Sequence, residues 1–170
     1  MQLKLKAKEF LITDVDKIIA ALSNLDPKNI EIETIYELLK IFEATDNYIL
    51  IDKLALFLSD TGRAIILEPL IRKLNKIKQS NHTSTLIYVC SEYDCSEYIL
   101  FFIDLLISND YHTMIEAMSV LESIKNPIKL ADKIIAHKKL TDALIGLNEA
   151  EENYTYINDA LELIDSLNSQ

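Results

Sequence analysis

The side chains that could do chemistry are few. The three histidines, His82, His112 and His137, form no H-x-x-x-H pair, and the two cysteines, Cys90 and Cys95, form no C-x-x-C pair. His112 and Glu116 stand four residues apart, the spacing that puts two side chains on one helix face, with Asp110 across the preceding loop. Two such ligands do not make a metal site, and a helix-start histidine beside a carboxylate is the simpler reading. Cys90 and Cys95, with His82, could form a soft metal or redox group, but free cysteine is among the most buried residue types, so packing is the expectation. Glu92 and Glu97 could act as an acid–base pair only where a pocket raised one pKa, and nothing in the residue pattern supplies one. Gly62 and Gly146 are the only glycines, which excludes glycine-rich phosphate loops, and no G-x-S-x-G elbow occurs. The residues therefore predict no enzyme, no cofactor and no metal.

These residues lie in a chain of 170 residues, 49% of them hydrophobic, enough for one domain (1–170) with its own core. Two glycines and three prolines cannot supply the turns of a hairpin-rich sheet fold. Apolar residues recur instead at helical spacing. Ile35, Leu38, Leu39, Ile41 and Phe42 form one stripe, Leu67, Leu70, Ile71, Leu74 and Ile77 another, and Ile157, Leu161, Ile164 and Leu167 a third. The pattern predicts about nine helices, over 14–24, 30–44, 47–59, 63–78, 82–92, 95–108, 111–125, 127–146 and 150–168. Candidate caps are Thr13 or Asp14, Asp46 or Asn47, and Asp94 or Cys95–Ser96; Asn126–Pro127 reads as an N-cap followed by proline in the first helical position. Residues 1–12 are expected to be loosely ordered.

Short connections between such helices favour antiparallel hairpins. An internal repeat of 29 residues places Leu70, Leu74 and Ile77 on Ile99, Ile103 and Leu106, and Leu86 and Val89 on Ile115 and Met118. The fold class expected is all-α, a right-handed α-solenoid of helical hairpins, with an irregular bundle as the alternative. In it, the nearly all-apolar helix 95–108 would sit centrally.

No signal peptide is expected in the first residues, MQLKLKAKEFLI, and the run Tyr98–Ile107, interrupted by Asp104, is too short to span a bilayer. With two cysteines and no disulfide framework, a cytoplasmic setting is expected. The sequons at Asn81 and Asn153 then carry no meaning.

The net charge of −10 comes in blocks. Residues 1–78 balance, whereas 79–124 contain no Lys or Arg and seven acids: Glu92, Asp94, Glu97, Asp104, Asp110, Glu116 and Glu122. Residues 125–139 hold five lysines against Asp132, and 140–170 again hold seven acids and no Lys or Arg. A phosphate backbone needs clustered cations, so nucleic acid is excluded as a partner, and an anionic membrane for the same reason. A basic protein surface is the fitting partner. Tyr88, Tyr93, Tyr98 and Tyr111 lie in the acidic block, and tyrosine is enriched at interface hot spots. The candidate partner-binding residues are Glu92, Tyr93, Asp94, Glu97, Asp110, Tyr111 and His112, near the helix turns at 92–97 and 108–112. The same residues read alternatively as a solvated surface over core tyrosines.

The stretch LEPLIRKL, Leu67 to Leu74, resembles the first helix of a HEAT repeat, and DYHTMIEAMSVLESI, Asp110 to Ile124, the second, with Ala117 at the small-residue position. The segment Thr85 to Ile124 is similar to small acidic HEAT-like bacterial proteins taken to be immunity proteins of polymorphic toxin systems. That resemblance implies a non-enzymatic protein that neutralises a toxin domain, often a nuclease with a basic cleft, by covering it. It carries over no residue-level motif. A cytoplasmic adaptor or scaffold is the alternative, and a small enzyme built on His112, Glu116, Cys90 and Cys95 a third reading.

Overall fold

The computed structural model describes residues 15–78, 82–108, 110–148 and 151–170. The expectations for residues 1–12, for a Thr13 or Asp14 cap and for the Asn81 sequon fall outside that set. Among the described residues the chain is all-helical, with nine α-helices: α1 Val15–Leu22, α2 Ile32–Ala44, α3 Tyr48–Asp60, α4 Leu67–Ile77, α5 Ser84–Ser91, α6 Ile99–Leu106, α7 Tyr111–Glu122, α8 Leu130–Leu144 and α9 Glu152–Ser166. Short 3₁₀ turns at Pro27–Asn29, Ala64–Ile66 and Ser96–Tyr98 precede α2, α4 and α6. No described helix is long and apolar enough to cross a membrane. The contacts divide the chain into two compact units, one ending at Val89 and one running Cys90–Gln170, with the boundary inside α5.

In the first unit α1 packs on α3, and α2 packs on α3 and α4. The stripe predicted from sequence is the buried one: Ile35, Leu38, Leu39, Ile41 and Phe42 all face the core. Burying each such side chain contributes about 1.5–3 kcal/mol. Asn47 starts α3 as expected, its side chain accepting from the Leu50 amide at 3.1 Å. Gly62, at φ 66°, supplies the left-handed residue that turns the chain after α3.

Lys73 is the unusual core residue, 2% exposed in α4. Its ammonium donates to the carbonyls of Glu43, at 3.4 Å, and of Thr45. It thereby satisfies acceptors that the C-terminal end of α2 leaves without helical partners. Burial pulls its pKa below the usual lysine range, Lys76 adds to that, and Asp46 and Glu43 oppose it. Outside, Arg72 bridges Glu43 at 2.7 Å and Glu68 at 2.6 Å.

In the second unit α6 packs on α7 and α8, and α9 packs on α7 and α8. Five of the eight residues of α6 are buried, Ile99, Phe102, Ile103, Leu105 and Leu106, while the exposed Asp104 pairs with Lys139 of α8. Ala117 is fully buried, so α7 can approach its neighbours closely there.

The connection 125–129 differs from expectation. Asn126–Pro127 does not start a helix; α8 begins at Leu130 with Lys129 as its cap residue. Ile128, 1% exposed, is held by parallel pairing with the last residues of the chain: its amide donates to the Asn168 carbonyl and its carbonyl accepts from the Gln170 amide, both at 3.0 Å. That pairing needs extended backbone at Ile128, which delays the helix. Asn126 is drawn off as well, donating from its amide to Asp94. Lys133 fastens the same region, donating to the carbonyls of Asp165 at 2.9 Å and Leu167 at 2.6 Å at the end of α9.

Candidate functional site

The candidate residues lie at the starts of two helices. Glu92, Tyr93, Asp94 and Glu97 occupy the turn between α5 and α6, and Asp110, Tyr111 and His112 begin α7. All seven belong to the second unit.

In the first turn, the chain leaves α5 through a hydrogen bond from the Tyr93 amide to the Cys90 carbonyl, 3.0 Å. Asp94 then folds over Ser96, accepting from its amide and its hydroxyl, each at 3.2 Å. This is the local capping that Asp favours at turns. With Asn126 also donating to it, Asp94 is half-buried and its acceptor capacity is largely used inside the fold. Glu92 and Glu97 are different. Both are exposed, on either side of the Asp94 turn, and neither forms an ion pair with a described residue. Tyr93 between them is half-buried.

At the start of α7, Asp110 is the N-cap, its carboxylate accepting from the Thr113 amide at 2.9 Å. Hydrogen bonds from the Thr113 side chain and amide hold the Asp110 carboxyl below the usual carboxylate range, and burial opposes them. Tyr111 is 40% exposed. Its hydroxyl donates to Glu152 Oε1 at 2.7 Å, and its ring meets Tyr156 edge-on at 6.3 Å and His112 at 5.8 Å. The hydrogen bond to Glu152, with smaller effects from burial and Tyr156, pushes the Tyr111 phenol up to about 12. His112 itself is exposed. Glu152 and Tyr156 therefore extend the candidate patch. Sequence reasoning missed them because they lie on α9, far along the chain from Tyr111, and only their acidic and aromatic types hinted at it.

The side chains with possible chemistry are disposed otherwise. Cys90 and Cys95 are both fully buried, and the Cys95 thiol donates to the Cys90 carbonyl at 3.3 Å. The neighbouring Cys95 thiol and burial together push the Cys90 thiol well above its ordinary range, which keeps it protonated and unreactive. Glu116 is half-buried and His112 exposed on the same helix. His137 lies 3.7 Å from Asp165 on the exposed rim of α8 and α9. His82 stacks on Tyr48 in the first unit, ring centroids 3.9 Å apart, and beside it burial raises the pKa of Asp52 against a hydrogen bond from Thr85. Among the described residues no three His, Cys, Asp or Glu side chains are grouped to hold a metal ion.

Of the five lysines at 125–139, two serve the fold: Lys133 caps α9 and Lys139 pairs with Asp104. Lys125, Lys129 and Lys138 remain exposed. Comparison with protein-family models, with curated proteins and with solved structures finds no match.

Proposed function

We propose that this chain is a non-enzymatic immunity protein that neutralises a cognate bacterial toxin domain, of nuclease type, by covering its basic active-site surface. The observation that carries it is the pair of exposed carboxylates, Glu92 and Glu97, on either side of the half-buried Tyr93, in a stretch (79–124) without Lys or Arg. Carboxylates held on an ordered helix turn can occupy positions that substrate phosphates would take. Complementary charge of this kind raises association rates and fixes register. Tyr93 and Tyr111 supply amphipathic anchors, while Asp94 and Asp110 hold the α5–α6 turn and the start of α7 in shape.

The fold belonging to this reading is a HEAT-like, right-handed α-solenoid of antiparallel hairpins. Two packing relations support it: α6 lies against α8 and α7 against α9, as like helices of successive α6/α7 and α8/α9 pairs would. The setting is the cytoplasm, where a toxin domain would meet its inhibitor.

The test is co-expression with proteins encoded beside this gene. A neighbour that arrests growth alone and is tolerated with the wild-type chain supports the reading, provided that Glu92→Lys with Glu97→Lys abolishes the protection. Neighbours without toxicity, or protection that survives both reversals, would overturn it and leave the adaptor reading.

A further inference from the structure

Helix α8 is apolar on two sides. Ala136 and Leu140 are buried within the second unit, where α8 packs on α6 and α9. On the other side Ile134 is 62% exposed, Ile135 43% and Ile145 76%. Leaving three isoleucines partly in water forgoes a share of the roughly 1.5–3 kcal/mol that full burial of each would contribute. Ala131, Ile135, Lys138 and Asp142, with the C-cap residue Ile145 just past the last turn, follow one another in steps of four, three, four and three, the spacing of a seam along which one helix packs lengthwise on another. All five are exposed, and Ile134 flanks them.

We propose that this face of α8 binds the same face of a second copy of the chain, as an antiparallel helix pair about a two-fold axis level with residue 140. Charge complementarity selects a second copy as the partner. In that register Ile135 meets the partner's Ile145 at each end, and Lys138 meets the partner's Asp142 on each side of the axis. A two-fold interface presents one patch to itself, so it is stable only where that patch is self-complementary. Sliding the helices by one heptad sets Lys138 against the partner's Ile135 and Asp142 against the partner's Ala131, which leaves the charges without partners. Helix α3 shows that such matching is not automatic. Its exposed stripe of Ile49, Lys53, Leu56 and Asp60 has the same spacing, yet antiparallel self-pairing sets Ile49 on Asp60 and Lys53 on Leu56. On α8 neither charge is spent on the fold: Lys138 and Asp142 are exposed and form no ion pair with a described residue. In this register the two copies overlap from Ile135 to Ile145, about 16 Å, which puts the interface with the smaller, reversible dimers. It does not depend on the toxin reading, whose residues lie at the starts of α6 and α7.

Sedimentation velocity from micromolar to millimolar protein tests it, on the wild type, Lys138→Asp, Asp142→Lys and the double exchange, each matched for helicity by circular dichroism. The wild type should pass from monomer to dimer with concentration. Each single reversal sets like charges together twice and should weaken the dimer about tenfold or more. The double exchange should restore it. A wild type that stays monomeric throughout overturns the proposal, and so does a monomer that instead binds phosphatidylserine vesicles through this face. A dimer indifferent to the single reversals, or one that the double exchange fails to rescue, assigns the interface elsewhere and overturns it equally.

Discussion

Asp110 separates a structural carboxylate from a binding one, and the separation can be measured. Its carboxylate caps α7 through the Thr113 amide at 2.9 Å. Replacing an N-cap aspartate by alanine costs about 1 kcal/mol, because one of the helix's unpartnered amides loses its acceptor. Asparagine keeps a side-chain oxygen in that place and should cost a few tenths. Lysine loses the cap and adds a positive charge at the positive end of the helix dipole, another ~0.3–1 kcal/mol. Stability should therefore fall in the order wild type, Asp110→Asn, Asp110→Ala, Asp110→Lys. The assay is amide hydrogen exchange at Thr113, read beside chemical unfolding of the same variants. Asp110→Ala should speed exchange at that amide about fivefold, the factor that ~1 kcal/mol of local opening represents. Acid adds a second signature. Because the folded-state pKa of Asp110 is lowered, its contribution is full above the unfolded carboxylate value, ~3.9, and is lost as pH falls through the folded value. Asp110→Asn should lack that loss. An asparagine variant as damaged as alanine, or an alanine variant with unchanged Thr113 protection, would refute the capping argument.

Lys73→Ala should cost the first unit about 3 kcal/mol, from three lost methylenes at ~0.8 kcal/mol each and two carbonyls left short of a donor; Lys73→Met, which keeps the stem, should cost about 1 kcal/mol, and urea unfolding of both checks the difference. Ala117→Leu should overpack the contacts of α7 and destabilise by about 1–3 kcal/mol, again read by urea unfolding. The Tyr111–Glu152 hydrogen bond should give an alkaline signature: the Tyr111 pKa is raised to about 12, so its stabilisation is present below the ordinary tyrosine value and lost as pH climbs toward the folded one. Tyr111→Phe should remove the late-ionising tyrosine from an ultraviolet titration; if a tyrosine ionising in the ordinary range disappears instead, the bond is not formed in solution.

Much of the architecture was legible because helix periodicity is a local property. The stripe on α2 and the Asn47 cap follow from residues within a turn or two of each other, and so do the nine helices. What was not legible depends on partners distant in sequence. Asn126–Pro127 carries a strong helix-start signal, yet pairing of Ile128 with Asn168 and Gln170 overrides it. Nothing in LEPLIRKL marks Lys73 for burial; it is buried because the end of α2 brings two carbonyls to it. The charge block pointed to the helix starts but could not sort their acids. Asp94 and Asp110 are acidic because turns and helix starts need acceptors, whereas Glu92 and Glu97 have no such duty. Tyr111 finds Glu152 and Tyr156 only because α7 packs on α9.

The measurement that bears most directly on the proposed function is the association rate with a purified toxin domain encoded beside this gene, across a range of salt. The wild type should associate fast and slow steeply as salt rises, and Glu92→Lys with Glu97→Lys should slow it about tenfold or more at low salt, while Asp110→Asn, which keeps the cap, reports the share of that third charge. An association rate that ignores both salt and the two reversals would contradict the account.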